Sequence, residues 1–381
     1  MNKNEKKSNN NLEVQKNFPL ETNQSTNVGV NFLRYIAIFI LIYSHLASCI
    51  PPQFMIWLTA PIFFMITGFF CIKRDKPRFK YAVFNFLSYI IFGFIAYLIV
   101  YYADKDNISG IQIPFSIFWQ VEGYIDYLSN WWFLIGYLFV ILLSPLINKM
   151  IKKIKWISLT HIITGIIYFG TIFFLIQNGV IPNNLWSLIW HFIRGILYYS
   201  FAAWVSYWLK NFYSLKRNEN KKNAIFITIV TLSIILYAGT IITCWFFRDN
   251  NVVYNFNRYI EMTPLMYICG MSLILIFYQW KSKNKYLIWL SGVGRKSLGM
   301  YLFHGWIYSV LILIDQTYFA SLNSSTLIPA VLITFVITTW FGITISFPLD
   351  WFSTTMIKWW NKLVHKDEKI TGRLKTNNIY H

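Results

Sequence analysis

Apolar runs long enough to cross a bilayer recur along this chain from about residue 29 to residue 347, separated by polar connections. That pattern constrains the fold more than any motif does. The hydrocarbon core offers no water to the backbone, so a run of about 20 apolar residues is stable there when its N–H and C=O groups bond within the segment, as a helix. The runs predict spans at 29–50, 54–72, 81–102, 131–148, 157–177, 185–209, 224–246, 259–280, 297–314 and 327–347. The expected fold class is all-α: a polytopic membrane helix bundle of about ten transmembrane helices. A disordered polar tail is expected at 1–27, one membrane domain at 28–348 and a tail at 349–381, with no internal repeat and no separate soluble domain.

The connections between the runs differ in charge when read alternately. One set holds the N-terminal tail, Lys73–Lys80, Lys149–Lys155, Lys210–Lys222, Lys281–Lys296 and the C-terminal tail, and nearly all Lys and Arg fall there. The other set has Lys105, Arg248 and Arg258 as its only cations, beside Asp104, Asp106, Glu122, Asp126, Asp249, Glu261 and Asp315. Cationic connections stay on the cytoplasmic side, so both termini are expected there, in a multi-pass protein of the plasma membrane. The same rule accounts for the net charge of +19, which in a soluble chain would point to nucleic acid. No nucleic-acid-binding motif accompanies it, and the bilayer is the expected partner.

The remaining composition agrees. Charged residues are 13% of the chain, about half the soluble norm. No apolar segment with a small-residue cleavage site precedes the first run, which is therefore expected to be an uncleaved anchor. Cys49, Cys71, Cys244 and Cys269 form no C-x-x-C pair and read as packing residues, with a Cys49–Cys244 bridge the weaker alternative. Trp131, Trp132, Trp186, Trp208, Trp245 and Trp280 fall near span ends, as interface anchors do. Pro51-Pro52 should close a tight outer hairpin, and Pro61 should kink the second span.

Against this apolar background a few ionisable residues stand out. Arg34 and His45 lie in one run, eleven residues apart. At 100° per residue they face nearly the same way, separated by about 16 Å along the axis. Each costs roughly 2.5–3.5 kcal/mol to insert. Two readings stand: a satisfied Arg and a packed His inside a bundle, or a working pair. His191 and Arg194 share a stripe of the sixth span, and His304 lies about two turns into the ninth. His161, His365 and His381 read as surface or interface residues. There is no G-x-S-x-G elbow, no H-E-x-x-H and no P-loop lysine motif. Carboxylates are almost absent from the spans, which argues against an Asp/Glu proton relay and against Mg²⁺-dependent phosphoryl transfer in the membrane. No metal is expected. Intramembrane chemistry must rest on His, whose pKa suits general-base work, and on Arg, whose fork of donors suits phosphate. Coenzyme A fits such a stripe, with phosphates at one end and a thioester at the end of its pantetheine arm.

At these residues the chain resembles the acyltransferase-3 family of membrane O-acyltransferases. Leu33-Arg34-Tyr35-Ile36-Ala37 followed by His45 is similar to its first-span signature. Pro61-Ile-Phe-Phe-Met-Ile-Thr67-Gly68-Phe69-Phe70 is similar to its second-span pattern, with Thr67 where Ser is more usual. Trp131-Trp132-Phe133-Leu134 with Pro145 resembles the fourth span, and Ser297-Leu-Gly-Met-Tyr-Leu-Phe-His304 the late S-L-G-x-Y-L-x-H motif. The resemblance implies transfer of an acyl group, often acetyl from acetyl-CoA, to a sugar hydroxyl on a cell-surface glycan or lipid-linked precursor. It carries over Arg34, His45 and His304 as catalytic candidates. Members often show two arginines three apart before the third span; here Arg74, Lys76, Arg78 and Lys80 stand there, and with Arg34 they are the candidates for coenzyme A. The fused extracytoplasmic esterase-like domain of some members is absent from this sequence, so later handling of the acyl group falls to this domain or to glycan-assembly proteins as partners. For the acceptor, the outer segment 103–130 supplies Trp119, Glu122, Tyr124 and Asp126, aromatic faces and carboxylates suited to sugar, with His191 and Arg194 as further candidates.

The expected function is a membrane O-acyltransferase with an acyl-CoA donor and a glycan acceptor. The alternatives are an exporter of a glycan or small solute through the same bundle and a scaffold for glycan assembly. The charge pattern makes its own prediction: cysteines placed at positions 107 and 218 should label from opposite sides of the membrane. Labelling of both from one side would overturn the topology.

Overall fold

The computed structural model describes residues 27–47, 59–72, 79–103, 131–177, 186–214, 264–280, 282–315 and 325–377, with scattered helical residues between 227 and 239. The described elements are all helical. They are α1 (Val28–Ala47), α2 (Thr59–Cys71), α3 (Phe79–Ala103), α4 (Trp131–Lys153), α5 (Lys155–Gln177), α6 (Trp186–Ser214), α7 (Pro264–Gln279), α8 (Lys285–Gly294), α9 (Ser297–Ile314) and α10 (Leu327–Asn377). Helices thus stand at nine of the predicted runs, and the described residues of the 224–246 run are helical too. Among the described residues one helix, α10 over Leu327–Leu363, is by itself both long and apolar enough to cross a membrane; α1, α2, α3, α5 and α7 contribute shorter apolar stretches.

The surface inverts the pattern of a soluble bundle. Leu87, Ile91, Leu142, Leu146, Ile167, Leu332, Val336 and Phe347 face outward, while Ser88, Ser144, Asn148, Ser206, Thr334 and Thr338 are buried between helices. An apolar exterior with polar side chains turned inward is what a lipid solvent selects. Small residues let backbones meet. A Cβ added to Gly68 would stand 2.2 Å from the Tyr199 carbonyl oxygen, so α2 and α6 touch backbone to backbone. Several hydroxyls donate to the carbonyl one turn back, as Thr67 does to Phe63 at 2.9 Å and Ser88 does to Phe84 at 2.6 Å, so burial leaves them satisfied.

The helix ends flanked by cations gather at one end of the bundle. Asn27 caps α1, its Oδ1 accepting from the Val30 N–H at 2.8 Å while its Nδ2 donates to the Tyr278 carbonyl at the end of α7. Tyr278 packs on Phe69 and Phe70 of α2. Asn148 of α4 donates to the Cys71 carbonyl at 3.1 Å, Tyr207 of α6 reaches the Lys152 carbonyl, and Trp208 meets Trp156 of α5. Lys149, Lys152, Lys153 and the basic residues flanking α8 therefore share one face of the molecule.

Three local expectations change. Pro61 stands in the first turn of α2, where its missing N–H has no partner to lose, so no kink is needed. The basic connection 281–296 contains a helix, α8, whose cap Asn284 accepts from the Tyr286 N–H at 2.9 Å. The segment expected as a tail from 349 onward continues α10 through Pro348 to Asn377. Leu349, Ser353 and Ile357, at helical spacing, are buried, and Trp360 meets Phe84 of α3, so packing carries the helix past the proline. The Pro51-Pro52 hairpin, Cys49 and Cys244 lie outside the described residues; Cys71 and Cys269 are not disulfide-bonded.

Gly68→Ala should cost about 1–3 kcal/mol, because backbone cannot yield to the new methyl as a side chain can. The measurement is the apparent melting temperature of the protein in detergent, and an unchanged value would refute the backbone contact between α2 and α6.

Candidate active site

Arg34 occupies the second turn of α1, near the cationic end of the bundle. It is half-buried, and its Nη1 donates to the Asn31 side-chain oxygen one turn earlier at 3.0 Å. Among the described residues this is the hydrogen bond that orients the guanidinium. Asn31 is itself buried and neutral, so it fixes the fork without cancelling its charge. Tyr137 of α4 and Cys71 at the end of α2 lie within electrostatic range of the same guanidinium.

From Tyr137 an aromatic wall runs to the other intramembrane candidate. Tyr137 stacks on Phe133 with ring centres 6.3 Å apart, Phe133 meets Tyr301 at 4.4 Å, and Tyr301 meets His304 edge-on at 5.9 Å. Phe63 and Phe64 of α2 close the wall against Phe133. Offset and edge-on pairs of this kind hold rings in one arrangement. The wall therefore joins α2, α4 and α9, with Tyr137, which is within electrostatic range of Arg34, at one end and His304 at the other.

His304 is buried, at 2% exposure. Its Nδ1 is bonded to the Tyr301 carbonyl of its own helix. A carbonyl oxygen can only accept, so Nδ1 carries the hydrogen and, in the neutral ring, Nε2 carries the lone pair. The ring is thus held in one tautomer with its basic nitrogen directed away from the helix backbone. Lys296, at the start of α9, pairs with Asp350 beyond Pro348 and lies over the Phe347 ring, which ties α9 to α10.

The other sequence candidates fall elsewhere. His45 sits on α1 and His191 on α6, and Lys80 is in the first turn of α3; their side chains lie outside the described residues. Arg74, Lys76, Arg78, Trp119, Glu122, Tyr124 and Asp126 also lie outside them. Arg194 is buried on α6 beside Gly195, which is pressed against Phe64. Sequence reasoning missed Asn31 and Tyr137. The signal for Asn31 was present: an amide three residues before an arginine, inside an apolar run, needs a partner and is on the right face to find one. It also missed the triad Cys71 carbonyl–Asn148–Tyr199, in which the Tyr199 hydroxyl donates to the Asn148 oxygen at 3.0 Å.

The acyltransferase-3 family model, described as an acyltransferase domain, matches residues 27–347. No curated protein and no solved structure matches the chain. The family match runs from the cap of α1 through α9 and most of the apolar part of α10, so it takes in both Arg34 and His304. The chain belongs to the acyltransferase-3 family. It is a membrane acyltransferase.

The tautomer of His304 can be tested by two substitutions. The amide nitrogen of Asn can replace Nδ1–H, whereas the amide oxygen of Gln can supply an acceptor near the position of Nε2. If Nε2 is the working atom, His304→Asn should fold normally and lose about 10²-fold or more in kcat, with His304→Gln retaining more of it. Equal activity in His304→Asn and wild type would limit His304 to packing.

Proposed function

We propose that the protein is a ten-span O-acyltransferase of the plasma membrane, with both termini cytoplasmic, that moves an acetyl group from acetyl-CoA to a hydroxyl of a cell-surface polysaccharide or its lipid-linked precursor. The observation that carries this reading is the setting of Arg34. A permanently charged fork is half-buried in an apolar helix of a family acyltransferase, at the cationic end of the bundle, and is oriented by a neutral amide. Such a fork keeps its charge and further donors for phosphate.

On this reading the donor enters from the cytoplasmic side. Arg34 grips a phosphate of coenzyme A, and Arg74, Lys76, Arg78 and Lys80 raise the local concentration of the anion. The pantetheine arm lies along the aromatic wall, which suits its apolar stretches and excludes water from the thioester. His304 accepts through Nε2 from an amide N–H of the pantetheine arm and so orients the thioester. The acceptor arrives from the outer side, where Trp119, Glu122, Tyr124 and Asp126, with His191 and Arg194, hold the sugar. His45 takes the proton of the acceptor hydroxyl as its oxygen attacks the thioester carbonyl. The carbon–sulfur bond then breaks, and coenzyme A leaves as a thiol when the proton is returned to sulfur. No metal has a part in this scheme, and glycan-assembly proteins are its proposed protein partners.

His45→Ala should abolish acetylation, by about 10²–10⁴-fold, at near-normal protein level; retention of more than about a tenth of activity would remove it as the base. Arg34→Lys should raise the acetyl-CoA KM, since a point charge cannot replace a bidentate fork. The assay is release of free thiol from acetyl-CoA by purified protein with a sugar acceptor. Absence of turnover across acyl donors and glycan acceptors would count against the whole reading.

A further inference from the structure

The helix α8 has no role in donor or acceptor binding as proposed, yet it touches the turn that carries Arg34. Its C-terminal end, Ser291, Val293 and Gly294, is buried. A Cβ at Gly294 would stand 1.9 Å from the Asn31 carbonyl oxygen, and the Tyr35 N is the next backbone group of α1 it would meet. Only glycine allows this approach. The helix is therefore seated on the residue that orients Arg34 and on the residue next to Arg34.

The opposite end of α8 is uncovered. Tyr286 is 80% exposed, Trp289 62% and Ile288 46%, so its first two turns present apolar and aromatic side chains to the surroundings. Lys283, Lys285 and Arg295 are exposed at its two ends. No acidic residue occurs between Glu261 and Asp315. The described residues around it place it at the cationic end of the bundle, level with the start of α1. A short helix with exposed Trp and Tyr, flanked by cations and free of acids, is suited to the headgroup layer, where the rings enter the boundary and the cations meet lipid phosphates.

We propose that α8 is an interfacial helix that docks on anionic lipid headgroups and, through Gly294, sets the height and orientation of Arg34. The second half of this proposal rests on the donor-binding role of Arg34; the first does not. Lipid composition would then regulate donor binding: a membrane rich in anionic lipid holds α8 down, and α8 holds the Asn31–Arg34 turn in register.

The test uses the full-length protein in vesicles. A Trp289→Cys variant is labelled with an environment-sensitive fluorophore, with wild type carried through the same labelling as background. Quenching by spin-labelled lipid but not by aqueous iodide is expected. Iodide quenching without lipid quenching would overturn the docking, and so would a fluorescence change driven by acetyl-CoA and not by lipid, which would assign the aromatic face to the adenine base. In parallel, the acetyl-CoA KM is measured in phosphatidylcholine vesicles with and without phosphatidylglycerol. The anionic lipid should lower it for wild type and not for a Lys283→Ala/Lys285→Ala variant. Gly294→Ala should raise the acetyl-CoA KM about tenfold or more, the effect of losing a charge-assisted bond, with the acceptor KM unchanged. Equal rises in both KM values would overturn the link to Arg34. Failure of turnover in every sample would count against the acyl-CoA reading, and the fluorophore quenching would still decide whether α8 docks on lipid.

Discussion

The seat of α1 is the contact on which the rest of this molecule depends. Its cap and first two turns carry Asn27, Gly29, Asn31 and Arg34, and between them they meet α7 and α8. Asn27 caps the helix and bonds the end of α7. Gly29 lies against the carbonyls of Phe277 and Trp280, and Asn31 against Gly294 of α8. In a bilayer these contacts matter more than apolar burial, because lipid tails are as apolar as leucine and helix association rests on close packing and hydrogen bonds. Gly29 of α1 against α7 and Gly294 of α8 against α1 supply the first, and the Asn27 amide supplies the second. With α1 held in this way, the depth and direction of Arg34 follow.

The chemistry of the site follows from which polar groups the interior contains: among the described buried residues there are amides and hydroxyls and no carboxylate. Asn31 bonds Arg34, and Asn148 bonds both Tyr199 and the Cys71 carbonyl. A carboxylate beside Arg34 would have made an ion pair and reduced its pull on a phosphate. A neutral amide orients the fork and leaves the charge. The aromatic wall from Tyr137 to Tyr301 packs α4 against α9 through ring faces, with the two tyrosine hydroxyls as its polar groups.

Helix α8 connects this interior to the membrane surface. The same residues that make it look unstable in water, Tyr286, Ile288 and Trp289, suit it to the headgroup boundary, and its packing on α1, closest at Gly294, transmits its position. Lys296, just beyond it, pairs with Asp350, so the segment between α7 and α9 is tied at both ends, to α1 and to α10. A connection of this kind is a structural member of the bundle and not a spacer.

Much of the fold was legible in the sequence, because lipid solvent imposes a simple rule. Helical runs, the sidedness of the cations and the resemblance around Arg34 and His304 are all written in local composition and spacing. The places where the reading fell short are those where a neighbour decides. The helix continues past Pro348 because Leu349, Ser353 and Ile357 pack in the bundle, which no local propensity announces. The segment 281–296 is basic and short, and only its contact with α1 turns it into a docked helix. Pro61 is harmless because of where α2 begins. The pairing of Asn31 with Arg34 could have been read from their spacing, but the wall from Tyr137 to His304 draws on helices more than a hundred residues apart. Sequence determined which segments form apolar helices, since transfer free energy and helix length are properties of each segment alone. Tertiary structure decided which helices meet, since the bonds of Asn27, Asn148 and Tyr199 exist only where another helix is packed beside them.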